Sequence, residues 1–253
     1  MRSSLLPRRI AAVILGTGVL VALASSAMAQ QKNVTARVHI QKLQPEKGEK
    51  TGASSWDASE VVVWLVPLDP STPETSASAL PAKRPQLVQK NKSFQPHLLV
   101  VRKGSTVDFP NRDPFFHNVF SLFDGKRFDL GLYEAGATNS VRFDREGVSF
   151  LFCNIHPEMS AVVVAVGTPY YGVSDKAGNV TIGNVPDGQY EMHVWYERSL
   201  PEDLKNLTRT VRIEGESREL GVIAVPLNPN FTASHKNKYG QDYTPPATGY
   251  GHP

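Results

Sequence analysis

Cysteine is almost missing from this chain: 253 residues contain one, Cys153. An intramolecular disulfide scaffold is therefore excluded. An excess of one charge is missing too. Lysine and arginine number 27 against 24 aspartate and glutamate. Arg2, Arg8 and Arg9 stand at the extreme N-terminus, and without them each sign totals 24. No stretch interleaves aromatic and basic side chains. The basic isoelectric point therefore gives no footing for a nucleic-acid partner, and none is expected. Long apolar periods of 3.6 residues are absent before residue 167, which argues against a helical bundle.

The N-terminus reads as a processing signal. MRSSLLPRR is positive, IAAVILGTGVLVALA is apolar and uncharged, and SSAMAQ places small residues at Ala27 and Ala29. This order predicts a secretory signal over 1–29, cut after Ala29. Arg8-Arg9 is followed by IAAV, which lacks the bulky pattern of a twin-arginine signal. The expected location is the periplasm or beyond, with no stable membrane insertion after cleavage. The remaining 224 residues suffice for one large core or two modest ones. In an oxidising compartment a lone thiol is open to oxidation unless it is buried or ligated.

What is present is a succession of short strands. VTARVHIQ (34–41) alternates apolar and polar residues, and EVVVWLVPL (60–68) is strongly β-prone. DPSTPETSASALPAKRP (69–85) is rich in Pro, Ser and Thr and reads as a loop. Two strands flank the turn RKGS within 94–111, and HNVFSLF, RFDLGLY, TNSVRFDREG, VSFLFC and MSAVVVAVG follow. The pattern predicts an all-β fold of sandwich or barrel type. Beyond Gly167 two turn signals, DKAGN and VPDG, bracket the strand NVTIGNV. YEMHVWY, TRTVRIEG and LGVIAVPL come after them. These predict a second, smaller β-sandwich over 168–227. Residues 228–253 are polar, with Gly, Pro and almost no aliphatic side chain. They read either as a mobile tail or as a wrap over a neighbouring surface.

The stretch FCNIHPEM (152–159) joins the only cysteine to a histidine and a methionine at intervals of three. Taken singly, such residues are ordinarily core or surface. Together, at a strand-to-loop edge, a thiolate and an imidazole three residues apart can turn toward one ion, and Met159 can approach from another side. Two soft sulfur donors with imidazole favour copper over hard cations. A second histidine is needed from another strand, and His117, opening a strand in FPNRDPFFHNVFS, is the candidate. Two His, one Cys and a weak axial Met make the electron-transfer type of copper site. Phe109, Phe115, Phe116, Phe150 and Phe152 are candidates for its apolar lining, with strand alternation turning only some of them inward.

Residues 94–166 resemble a cupredoxin of the plastocyanin and pseudoazurin kind. The resemblance rests on VRKGSTVDFPNRDPFFHNVFS, with Gly104, Val107, Phe109, Asn111, His117, Asn118 and Val119 in family order, and on FLFCNIHPEMSAVVVAV. It implies a Greek-key β-sandwich, expected over residues 30–167, and one mononuclear copper ion. His117, Cys153 and His156 become equatorial ligands and Met159 the axial one. It also implies that Asn118 bonds across to the loop bearing Cys153. The H-P-E-M spacing is shorter than in small blue copper proteins. It leaves the axial position open to Met159, Glu158 or a backbone carbonyl. The function implied is single-electron transfer with a transient redox protein partner docking near His156. Arg112, Asp113 and Glu158 are solvated charges there or bias that choice. The alternative is a copper-binding module for storage, delivery or sensing. No H-x-H pair occurs, so a catalytic copper cluster, and hence an enzyme, is not expected.

Residues 172–226 resemble the carboxypeptidase regulatory-like, transthyretin-like sandwich through DKAGNVTIGNVPDGQY, in which Gly178 and Gly188 are expected to relieve backbone strain. That resemblance implies architecture only. His39, His97 and His193 have no ligand-spaced partner in their own strands, and His235 and His252 lie in the tail.

Overall fold

The alternating segments become strands, and the computed structural model is all-β apart from one turn and a half of helix. It describes residues 33–42, 57–70, 82–122, 125–216, 218–228, 230–231 and 235–243. The expected signal, 1–29, and His252 lie outside them. In chain order the first strands are β1 (Val34–Lys42), β2 (Val62–Pro67), β3 (Val88–Gln89), β4 (Phe94–Gln95), β5 (Leu98–Arg102) and β6 (Thr106–Pro110). They are followed by β7 (His117–Ser121), β8 (Phe128–Tyr133), β9 (Thr138–Arg142), β10 (Gly147–Phe152) and β11 (Ser160–Val166). The last are β12 (Tyr171–Val173), β13 (Asn179–Ile182), β14 (Gly188–Trp195), the helix α1 (Pro201–Lys205), β15 (Arg209–Ile213) and β16 (Glu219–Leu227). Among the described residues no helix is long and apolar enough to cross a membrane.

Strands β3 to β11 build one half. A five-stranded sheet runs β5-β11-β10-β7-β8, faced by the pair β6-β9 and the hairpin β3-β4. Val107, Phe109, Val119, Leu151, Ala161 and Val163 share its core with Cys153 and Met159. The other half has two sheets, β13-β1-β16 and β12-β2-β14-β15. β1 and β2, which the sequence reading groups with 30–167, thus pair with strands of 168–227. β1 runs parallel to β16 and antiparallel to β13, while β2 lies between β12 and β14. Val34, Val38, Val63 and Leu65 fill the same core as Val180, Tyr190 and Ile223. The first half is an insertion between β2 and β12, and the reason is pairing at long range, which no local pattern encodes.

A third cluster joins the halves. Val162, Val164 and Val166 of β11 meet Val62 of β2, with Trp64, Phe150 and Trp195 packed against them. β11 therefore turns Ala161, Val163 and Ala165 to one core and its three even-numbered valines to the joint. Burial on both faces explains the unbroken run SAVVVAV, where a half-exposed strand would alternate. VVVWL in β2 has the same cause. The described residues form one compact unit.

Gly178 holds a tight turn under β1. Its φ is +82°, and a Cβ there would sit 2.3 Å from the Val38 carbonyl oxygen. The Val38 amide in turn donates to the Gly178 carbonyl at 2.7 Å. Asp175 closes the turn by accepting from the amides of Ala177 and Asn179, both at 2.9 Å. Gly188 has no positive φ; it leaves room beside the Tyr190 ring instead. The described part of the tail, 235–243, wraps over the first half near the ends of β8 and β10.

Candidate metal centre

Strand alternation aims Cys153. Leu151 and Cys153 point into the core of the first half, while Phe150 and Phe152 point out of the other face of β10. The loop that follows doubles back. The Cys153 amide donates to the Met159 carbonyl and the Met159 amide to the His156 carbonyl, both at 3.1 Å. This fold brings His156 Nδ1 to 3.5 Å from Cys153 Sγ. His117 opens β7, the neighbour of β10, and places its own Nδ1 3.8 Å from the same sulfur. The three donor atoms lie within 4.8 Å of one another. His117 and Cys153 are fully buried, and His156 is half-buried at the rim.

The far side of His117 is fixed by Asp113. His117 Nε2 donates to Asp113 Oδ2 at 2.8 Å, with both side chains out of solvent. The same carboxylate accepts from the Asn91 amide at 2.6 Å and the Lys92 amide at 2.9 Å. Asn91 and Lys92 both have positive φ, so the tip of the β3–β4 hairpin turns its amides onto Asp113. Asn111 sets the loop, accepting from the Asp113 amide at 3.0 Å and donating to the Phe115 carbonyl at 2.8 Å. Burial alone would push the Asp113 carboxyl up. The Lys92 amide, the His117 ring and the Asn91 amide outweigh it and hold the group below its usual range. A carboxylate that takes the Nε2 proton leaves the Nδ1 lone pair facing the sulfur, the arrangement by which outer partners fix a histidine ligand.

Sequence reading treats Asp113 as a solvated or docking charge; the structure buries it behind His117. The available signal is a carboxylate four residues before a candidate ligand. Asp113→Asn is expected to lower metal affinity by about 10–100-fold, as loss of such outer partners does. Competition for the bound ion with a chelator of known affinity measures it; an unchanged affinity would mean that Asp113 does not orient the ring.

His156 titrates below its ordinary value because burial disfavours the cation, and the neighbouring His117 and Lys92 add to this against the opposing pull of Asp113. Its ring is therefore neutral, and able to ligate, at neutral pH. Met159 is fully buried in the core that holds Cys153, and Glu158 is exposed. Of the phenylalanines, Phe109 lies in that core. Phe115 touches the rings of His117 and His156 at centroid distances of 5.2 and 5.7 Å. Phe116 is exposed, and Phe150 and Phe152 face away. Asn118 does not reach the ligand loop. Its side chain leaves the opposite face of β7 from His117 and donates to Asp129 Oδ1 at 2.7 Å and the Gly131 carbonyl at 2.9 Å. His97 pairs with Glu197, His193 with Glu191, and His39 is exposed; none joins the donor group.

The donor set fits a first-row metal. With bonds of about 2.0 Å to nitrogen and 2.3 Å to sulfur, as for zinc, neighbouring donors sit about 3.5–3.7 Å apart. The two sulfur–nitrogen separations, 3.5 and 3.8 Å, are close to that spacing, and the group as a whole spans 4.8 Å, so the two imidazoles would draw together around an ion.

No family model and no curated protein matches the chain. Several solved structures do, over part of it. A purple cupredoxin from Nitrosopumilus maritimus is 26% identical over 32% of this chain and 99% of its own, with a TM-score of 0.30. A copper-containing nitrite reductase from Thermus scotoductus SA-01 is 25% identical over 40% of this chain, at a TM-score of 0.33, and the chain spans only 27% of its length. An amicyanin variant in the Cu(I) state is 20% identical over 41% of this chain and 98% of its own, at a TM-score of 0.32.

Proposed function

We propose that the chain is an exported copper protein that binds one copper ion through His117, Cys153 and His156, with Met159 as the axial contact, and carries single electrons. The observation behind this reading is the convergence of two imidazole Nδ1 atoms on one buried sulfur. A thiolate with two imidazoles suits copper, and the resemblance of residues 94–166 to cupredoxins agrees.

Bound copper would supply a one-electron couple between Cu(II) and Cu(I). The protein's part is to hold the donors still. Asp113 pins His117, and the two backbone bonds across the 153–159 loop keep His156 against Cys153. Phe109, Val107 and Leu151 share the apolar core in which Cys153 is buried, and an apolar surround disfavours the more highly charged oxidised centre. His156 reaches the rim beside the exposed Phe115, Phe116 and Ile155. A small patch of this kind suits a transient redox partner, with the chain acting as carrier rather than enzyme.

The test is to load the purified protein with Cu(II) and record its visible spectrum, electron-paramagnetic resonance and voltammogram. An intense thiolate-to-copper band with a reversible one-electron wave is expected. A band without a reversible wave would favour copper storage or delivery, and no band from folded protein would end the copper reading.

A further inference from the structure

The polar C-terminal segment holds the ligand strand from behind. Three successive residues at the end of β10 each meet a residue of 235–243. The His235 ring stacks on Phe152 at a centroid distance of 4.0 Å and an interplanar angle of 24°. The Tyr243 hydroxyl donates to the Cys153 carbonyl at 2.7 Å. The Lys238 amide donates to Asn154 Oδ1 at 3.0 Å.

The segment is shaped for this. Asn237 Oδ1 accepts from the amides of Tyr239 and Gln241 at 2.9 and 3.0 Å, closing a turn on itself. Tyr243 also lies 3.3 Å from His235 Nδ1, so the two contacting rings brace each other. Lys238 Nζ reaches Asp129 at 2.8 Å, and Asp129 also receives Asn118, the neighbour of His117. The segment thus touches the supports of both β7 and β10.

We propose that residues 235–243 form an intramolecular clasp that fixes the metal-ligand strand, with Tyr243 as the positioning residue for Cys153. Within the loop after Cys153, the Cys153 amide bonds to the Met159 carbonyl and the Met159 amide to the His156 carbonyl. Tyr243 supplies the Cys153 carbonyl with a side-chain donor. The stack over Phe152 covers the apolar outer face at the same point. Without the clasp the thiol-bearing end of β10 frays more often.

The single cysteine makes the test direct. Metal-free, full-length protein is reacted with 4,4′-dithiodipyridine, a neutral disulfide that reads opening around Cys153. Tyr243→Phe, which removes only the hydroxyl, is expected to react about fivefold faster, the factor that goes with one lost neutral hydrogen bond. Tyr243→Phe with His235→Ala is expected to react faster still. Val225→Ala, a core change in the other half, controls for general loss of stability. Wild-type rates in both clasp variants would overturn the proposal, and so would an equal acceleration in Val225→Ala at matched stability. This labelling does not depend on copper. The second readout rests on the copper reading: loaded Tyr243→Phe is expected to surrender copper to a Cu(I) chelator about fivefold faster than wild type, and equal rates would overturn the clasp as a support of the site. Wild-type protein that forms no thiolate-to-copper band would defeat the copper reading and leave the labelling result to decide the clasp.

Discussion

Cys153→Ser is expected to lose the thiolate-to-copper band altogether and to bind copper more than about 100-fold more weakly, since removing even an outer partner of a ligand costs about 10–100-fold. The sulfur is the shared point of the site: both imidazole Nδ1 atoms lie within 3.8 Å of it. A serine hydroxyl is harder, shorter and does not ionise near neutral pH, so two imidazoles are left facing a neutral oxygen. The substitution keeps the volume and sits in a core already shaped for a small side chain, so the metal-free variant should fold. Thermal unfolding with and without Cu(II) separates the two effects. A ligand that binds only the folded state adds about 4 kcal/mol at a thousandfold excess over its dissociation constant. Wild-type protein should gain such an increment and the variant should not. Equal gains would show that Cys153 is not a ligand.

Gly178→Ala is expected to cost about 3–4 kcal/mol, in the range reserved for strained backbone and buried clashes. The position combines two penalties. Its φ of +82° disfavours any side chain, and the new Cβ would lie 2.3 Å from a backbone oxygen that cannot rotate away. Relief requires β1 to move, and β1 is the central strand of its sheet. Because the half that holds His117, Cys153 and His156 is inserted between β2 and β12 and shares the valine joint, the damage should reach that site although Gly178 lies in the other half. Chemical denaturation followed by far-ultraviolet dichroism and by Cys153 labelling should give one shared, lowered midpoint. Separate midpoints would show that the halves unfold independently.

The strands were legible because their signals are local. Alternation in VTARVHIQ and the turn RKGS translate directly into β1 and the β5–β6 connection. The unbroken runs VVVWL and SAVVVAV announce burial on both faces. They do not say against what, and the partner turned out to be each other's sheets. The placement of β1 and β2 depends on pairing with strands more than a hundred residues away, such as Val38 with Ile223, and spacing carries no trace of it. At the site, the interval between Cys153 and His156 is visible because one loop delivers both. His117 was reachable as the histidine that opens a strand after a loop. Asp113 left only the weak signal of a carboxylate four residues before His117, and Tyr243 left none, since each acts across a loop boundary where polar contacts have no period. The expectation for Asn118 failed on alternation itself: a residue following an inward ligand on a strand faces outward.

The parallel pairing of β1 with β16 has a mechanical meaning. These are the first and last strands described, and they run side by side from Arg37 opposite Val222 to Lys42 opposite Leu227. Tension applied between the start of β1 and the end of β16 acts along the strands, so their cross-strand bonds resist together instead of opening one at a time. Force applied at those two points would be held up to a threshold and then released abruptly, and until then it would bypass the inserted half.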